Sequence, residues 1–203
     1  MVSYFKGHIS TLASVVRNFA TDAKPEVAAA NSFRDFHAKG LNYYNLLRTP
    51  SLTVKIYEVP ASGDVVNPHT HAYNFHTWVL DGALRNVHFV HSGFGDDWHR
   101  IGYRSPLNGE RVTTPMGKES LWPIKGPALA PGDGYYIDGK EIHTIQTPEP
   151  AWLLLFQYAD QTDETSLYTR DGAMPDTTGL YSHMSVSEWQ NGVGCVVAKL
   201  RQF

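Results

Sequence analysis

From Ser51 onward the chain is a series of short apolar runs, each cut off by glycine, proline or asparagine. That punctuation constrains the fold more than any other feature of the sequence. Leu52 to Val59, Thr77 to Leu80, Leu84 to Val90, Gly134 to Ile137, Ile142 to Thr147 and Ala151 to Tyr158 all have the length and composition of strands. Short strands with regular turns predict a mainly β protein built as one closed antiparallel barrel or jelly roll. The stretch between Phe94 and Pro131 is rich in Gly, Pro, Arg and Trp and reads as inserted hairpins or loops. Upstream of Ser51 the period is helical. Ile9, Leu12, Val16 and Phe19 make one apolar face, and Pro25 suits a first helical position. The pattern continues through Val27, Ala30, Phe33 and Phe36 or His37 to a capping Gly40. A third helical segment, Leu41 to Thr49, ends before Pro50, because the residue preceding a proline is pushed out of the helical region. Near the other end, Ser185-Val-Ser-Glu188 has capping-box spacing and predicts a short C-terminal helix to about Leu200.

Composition narrows the function classes. The 203 residues are 42% hydrophobic and 18% charged, enough apolar side chain for a real core. A formal charge of −3 argues against a phosphate-backbone partner, so nucleic acid is not expected. Cys195 is the one cysteine, which excludes an internal disulfide and fits a reducing compartment. The first residues show no basic segment followed by an apolar one. The longest wholly apolar run, Ala151 to Phe156, is far shorter than the roughly 18 residues a membrane helix needs. A cytoplasmic protein without a membrane partner is the expectation.

Histidine carries the chemistry. His69, His71, His76, His88 and His91, half of the ten histidines, fall within 23 consecutive residues. On a strand, residues i and i+2 point to the same face, so His69 and His71 would project side by side and could grip one divalent ion. An HxH pair alone is weak evidence.

Its continuation is more specific. His69-Thr-His71-Ala-Tyr-Asn-Phe-His-Thr-Trp-Val-Leu-Asp-Gly82 resembles the first sequence motif of the cupin superfamily. Pro131-Gly132-Asp133-Gly-Tyr-Tyr-Ile137-Asp-Gly-Lys-Glu-Ile-His143 resembles the second, with Asp138 and Lys140 in place of that motif's usual Pro and Gly. The two motifs cover about a third of the chain, in the family's order. The resemblance implies a cupin barrel, with His69, His71 and His143 as ligands of one metal ion. It implies residues 1–203 as a single domain: a helical extension over 1–50, a metal-binding barrel over 51–160 and a C-terminal strand and helix extension over 161–203. The family's usual glutamate ligand is missing. One register places Phe75 at its position; a bulged strand places His76 there, as a fourth nitrogen ligand. If Leu84 faces inward, Asn86 and His88 do too, and His88 stands where dioxygenases cleaving hydroxyacetophenones have a carboxylate. Asn86 and His88 are therefore candidate substrate contacts. Arg85 is a further candidate, since Arg85, Arg100, Arg104 and Arg111 could each meet an acidic substrate, although an arginine on a barrel strand mostly reaches to solvent.

A site of neutral nitrogens suits iron(II), zinc, nickel or copper. Three facial histidines resemble the centres of thiol- and diketone-cleaving dioxygenases, where open positions admit a chelating substrate together with dioxygen. The expected function is a non-haem iron(II) dioxygenase acting with O2 on a small anionic or chelating organic substrate. A zinc or nickel isomerase, lyase or hydrolase, or a cupin that binds a small molecule without chemistry, is the alternative. A homodimer is the expected assembly.

Overall fold

The structure, a computed structural model, describes residues 2–104, 112–176 and 178–202. Twelve strands occur among them: β1 (Ser3–Lys6), β2 (Phe33–Arg34), β3 (Asn42–Arg48), β4 (Leu52–Val59), β5 (Tyr73–Asp81), β6 (Leu84–Arg104), β7 (Val112–Leu129), β8 (Asp133–Ile137), β9 (Ile142–Gln146), β10 (Ala151–Asp160), β11 (Thr165–Thr169) and β12 (Ser182–His183). They form two antiparallel sheets. The larger has the order β1-β8-β5-β10-β4-β3-β2-β12, and the smaller consists of β11-β6-β7 with β9 also paired to β6. Three helices accompany them: α1 (Ile9–Asp22), α2 (Pro25–Ala30) and α3 (Val186–Lys199). None of the described helices is long and apolar enough to cross a membrane.

Strand alternation divides the side chains of the large sheet between its two faces. Val54, Ile56, Leu80 and Leu154 meet Val16 of α1, Ala28 and Ala29 of α2, and Trp189, Val193 and Val196 of α3. Val59, Phe75, Val79, Ile137, Leu153 and Leu155 point the other way and pack with Leu84 and Leu129 of the small sheet. The large sheet is thus the middle layer, and burial of apolar surface on both of its faces holds the layers together. Gly82 turns β5 into β6 with φ of +76°, and the Pro150 carbonyl sits where any Cβ would be.

Two expectations are corrected. The sheets do not close into a barrel. The edge strands β1 and β12 make no ladder to the small sheet among the described residues. Isolated bridges, His69 to His143 and His69 to Leu167 among them, are what tie the segment before β5 to the small sheet. The 21-residue β6 and 18-residue β7 run beside one another for most of their length, so backbone pairing of the small sheet is largely internal. The N-terminal region is also less helical than its spacing suggests. α2 stops at Ala30, Phe33 and Arg34 form β2, and Leu41 to Thr49 is not a helix but mostly β3. β3 lies inside the large sheet, so Tyr43, Tyr44, Asn45 and Leu46 are buried in succession. The polar alternation that marks a one-sided strand is therefore missing. At the other end α3 begins as the sequence predicts. Glu188 N–H donates to Ser185 Oγ at 3.3 Å, and Ser185 N–H donates to Glu188 Oε2 at 2.7 Å.

Candidate metal centre

His69 and His71 lie in the irregular segment that enters β5, not on a regular strand. The backbone still fixes their placement. His69 N–H donates to the His143 carbonyl and His143 N–H returns the bond to His69, both at 3.0 Å, while His71 N–H donates to Gly139 at 2.8 Å. Paired bonds of this kind set two residues side by side as in an antiparallel ladder. The imidazole of His143, on β9, is consequently brought to those of His69 and His71. One ring nitrogen from each lies within 4.8 Å of the other two, and His71 Nε2 is 2.8 Å from His143 Nε2. Two ligand nitrogens about 2.1 Å from one ion stand about 3.0–3.4 Å apart at cis-octahedral to tetrahedral angles. The His71–His143 pair is slightly closer than that, and the three nitrogens together lie within reach of one divalent ion.

The tautomers fit as well. His69 Nδ1 lies 2.9 Å from the Asn67 carbonyl. A carbonyl can only accept, so Nδ1 carries the proton and Nε2 keeps its lone pair. His143 Nδ1 is 2.7 Å from Asn86 Oδ1, which does the same for that ring. Burial lowers the pKa of all three imidazoles, and for His71 and His143 neighbouring imidazoles lower it further. They are neutral near pH 7, the form that ligates a metal.

Phe75 is 2% exposed, and its ring centroid stands 4.8 Å from that of His71 and 5.8 Å from that of His143. It faces the three histidines. His76 is on the opposite face of β5, where its Nδ1 meets the Tyr158 hydroxyl at 2.9 Å and its ring stacks on Trp78. The structure therefore does not bring His76 to the centre, because β5 is unbulged between these residues and period-2 alternation separates them. Asn86 is fully buried and supports His143 instead of lining a cavity. His88 is the direct register partner of His143, yet it is not part of the three-histidine cluster. Arg85 alternates away from Asn86 and borders a separate recess with Gln146 and Thr147, so it makes no part of this centre. Arg100 and Arg104 are engaged by Glu119 and Asp163. Arg111 lies outside the described residues.

His69 and His71 form part of the wall of a cavity of about 420 Å³ between the layers. Its other walls hold residues that the sequence pattern does not single out, including His37, Tyr43, Lys55, Tyr73, Gln157 and Tyr181. Lys55 could have been noticed as the one basic residue within the run Leu52 to Val59. His37 and Tyr181 join through a 2.7 Å hydrogen bond from opposite ends of the chain, which no local pattern encodes.

No protein-family model and no curated protein matches the chain. Among solved structures it is similar to Streptomyces albus HEPD with substrate 2-hydroxyethylphosphonate and Fe(II) bound, at 18% identity and a TM-score of 0.39, over 70% of this chain and 26% of that one. It is similar to DMSP lyase DddQ from Ruegeria pomeroyi DSS-3, at 17% identity and a TM-score of 0.39, over 64% of this chain and 52% of that one. Hydroxypropylphosphonic acid epoxidase from S. wedmorenis matches at 16% identity and a TM-score of 0.39, over 62% of this chain and 54% of that one. The chain thus spans between 26% and 54% of the length of these proteins. Likeness this distant transfers no chemistry from them to this chain.

Proposed function

We propose that this protein is a non-haem iron(II) dioxygenase acting on a small anionic or chelating organic substrate, with the iron held by His69, His71 and His143. The observation that supports the reading is the convergence of three neutral imidazole nitrogens, two of them (His69 and His71) at a cavity wall, with no carboxylate in the cluster among the described residues. When bound, iron(II) in such a set keeps its full positive charge and offers open positions to a chelating substrate and dioxygen. The chain's own residues prepare that place. The Asn67 carbonyl and Asn86 hold the imidazole protons on Nδ1. Phe75 keeps one side of the cluster apolar and excludes water from it. Tyr43 and Tyr73 of the cavity wall stay protonated, because burial raises their pKa, and present neutral hydroxyls to a substrate.

Metal analysis of protein purified without added metal, followed by anaerobic iron(II) loading and oxygen-electrode recording, tests the proposal. Small thiols, β-diketones and hydroxy-carbonyl compounds form the substrate panel. The expected result is oxygen uptake that depends on one of these compounds. His143→Ala should lower bound metal by about tenfold or more while the fold persists, since the core is built from other side chains. Stoichiometric metal in that variant would remove the centre as drawn. Turnover without oxygen uptake would instead identify a zinc or nickel isomerase, lyase or hydrolase.

A further inference from the structure

Lys55 sits on the cavity face of β4, between Thr53 and Tyr57, and is 2% exposed. Its ammonium donates to Gln157 Oε1 at 2.7 Å and to the Tyr73 hydroxyl at 3.3 Å. The rings of Tyr43, Tyr57 and Tyr73 surround it, with centroids 5.0, 5.4 and 5.1 Å from Nζ. Among the described residues it forms no ion pair with a carboxylate. A buried cation is ordinarily paired, because desolvation costs several kcal/mol. Aromatic faces return only about 0.5–2 kcal/mol each. An ammonium also has three protons to donate, and the bonds to Gln157 and Tyr73 use two of them. Asp160, on the same cavity wall, acts on the ammonium only from beyond ion-pair distance, with Gln157 between them. The cation therefore has no directly paired carboxylate and faces a cavity large enough to receive one.

His69 and His71 of the cluster border that same cavity. Tyr73 stands between the two features, its ring centroid 5.3 Å from the imidazole of His71 and 5.1 Å from Lys55 Nζ. One tyrosine ring therefore separates the ammonium from the cluster, a span suited to a short molecule.

We propose that Lys55 is the anion-recognition point of the cavity, receiving a compact oxyanion (carboxylate, sulfonate or phosphonate) at one end of a small molecule whose other end reaches the three histidines. The reach to the histidines rests on their reading as metal ligands; the part played by the ammonium does not. Burial also pushes Lys55 down to about 7, so an arriving anion supplies the interaction that keeps the ammonium charged.

Calorimetric titration of metal-free protein just below neutral pH tests this, with propionate, 1-propanesulfonate and propylphosphonate as probes and propionamide as the uncharged control. Wild type and His143→Ala should both bind at least one of the oxyanions in preference to propionamide. Comparing the three probes tells which oxyanion geometry the site takes. Lys55→Met, which keeps the length and removes the charge, should weaken that binding by about tenfold or more. Protein carrying 15N-labelled lysine supplies a readout that needs no variant: the Lys55 Nζ signal should move as the oxyanion is added. Equal binding by Lys55→Met, no preference over propionamide, loss of binding in His143→Ala, or an unmoved Nζ signal would each overturn the assignment. Failure of the metal reading would leave every one of these titrations unchanged.

Discussion

Asn86 does for His143 what the Asn67 carbonyl does for His69: it accepts the Nδ1 proton and leaves Nε2 its lone pair. The two are not equivalent, since a backbone carbonyl cannot be mutated away and Asn86 can. The His143 ring engages the acceptor oxygen of that amide, which leucine removes. Asn86→Leu, similar in size, should weaken metal binding by about 10- to 100-fold with little change in secondary structure. A chelator competition with zinc or cobalt(II) measures this, and wild-type affinity in the variant would show that His143 needs no support. At this scale the sequence singled out the three histidines that the structure brings together but left Phe75 and His76 as rivals for one position. Both sit in the same run, and motif spacing tolerates a one-residue bulge. The choice fell to the β5–β8 ladder, where Phe75 pairs with Ile137 and His76 with Tyr136.

At the scale of elements, α3 shows how closely a helix can be seated on a sheet. A side chain at Gly192 would collide with the Tyr44 ring of β3, whereas nothing lies within 4 Å of the place a Gly194 side chain would take. Gly192→Ala should therefore cost about 1–3 kcal/mol, the usual penalty for overpacking. Gly194→Ala should be neutral or add up to about 1 kcal/mol, because alanine favours a helix interior. Thermal melts of the two variants give the comparison, and an equal response would mean that α3 does not bear on Tyr44 as described. β3, the partner in that contact, is also where helical spacing misled. Its neighbours cover both faces, and consecutive buried residues mimic the helical pattern. α3 itself is legible in sequence because Ser185 and Glu188 form a cap from residues three apart.

For the whole molecule, the cavity between the layers has a measurable effect on stability. Lys55 titrates near 10.4 in an unfolded chain, and burial is the largest cause of its fall to about 7 in the fold. Below about 7 both states hold the proton, and the folded state bears the full cost of the buried charge. Between there and about 10.4 the unfolded chain holds more protons, so this group's contribution rises with pH. Arg48 and Asp160 act on it in opposite senses, while Tyr43, Tyr57 and Tyr73 remain neutral through burial. Lys55→Met should therefore stabilise the ligand-free protein most below pH 7, with the gain shrinking across that window. Urea midpoints of both proteins against pH test this, and a pH-independent difference would show that Lys55 is not a buried cation.

What the sequence determined by itself was local: strand-forming runs ended by their turns, the starts of two N-terminal helices, a capped C-terminal helix, and histidines in a metal-ligand pattern. Each of these depends on residues within a few positions of one another, where periodicity and capping act. Only the tertiary structure decided that the sheets stay separate, that residues 42–48 are a strand, and that His76 and Arg85 point away from the centre. It alone also placed Lys55 against Tyr43, Tyr73 and Gln157, residues 12, 18 and 102 positions away. Such placements follow from which strands pair and which faces the layers bury. Those are set by the free energy of the assembled core, and no short segment of the chain contains it.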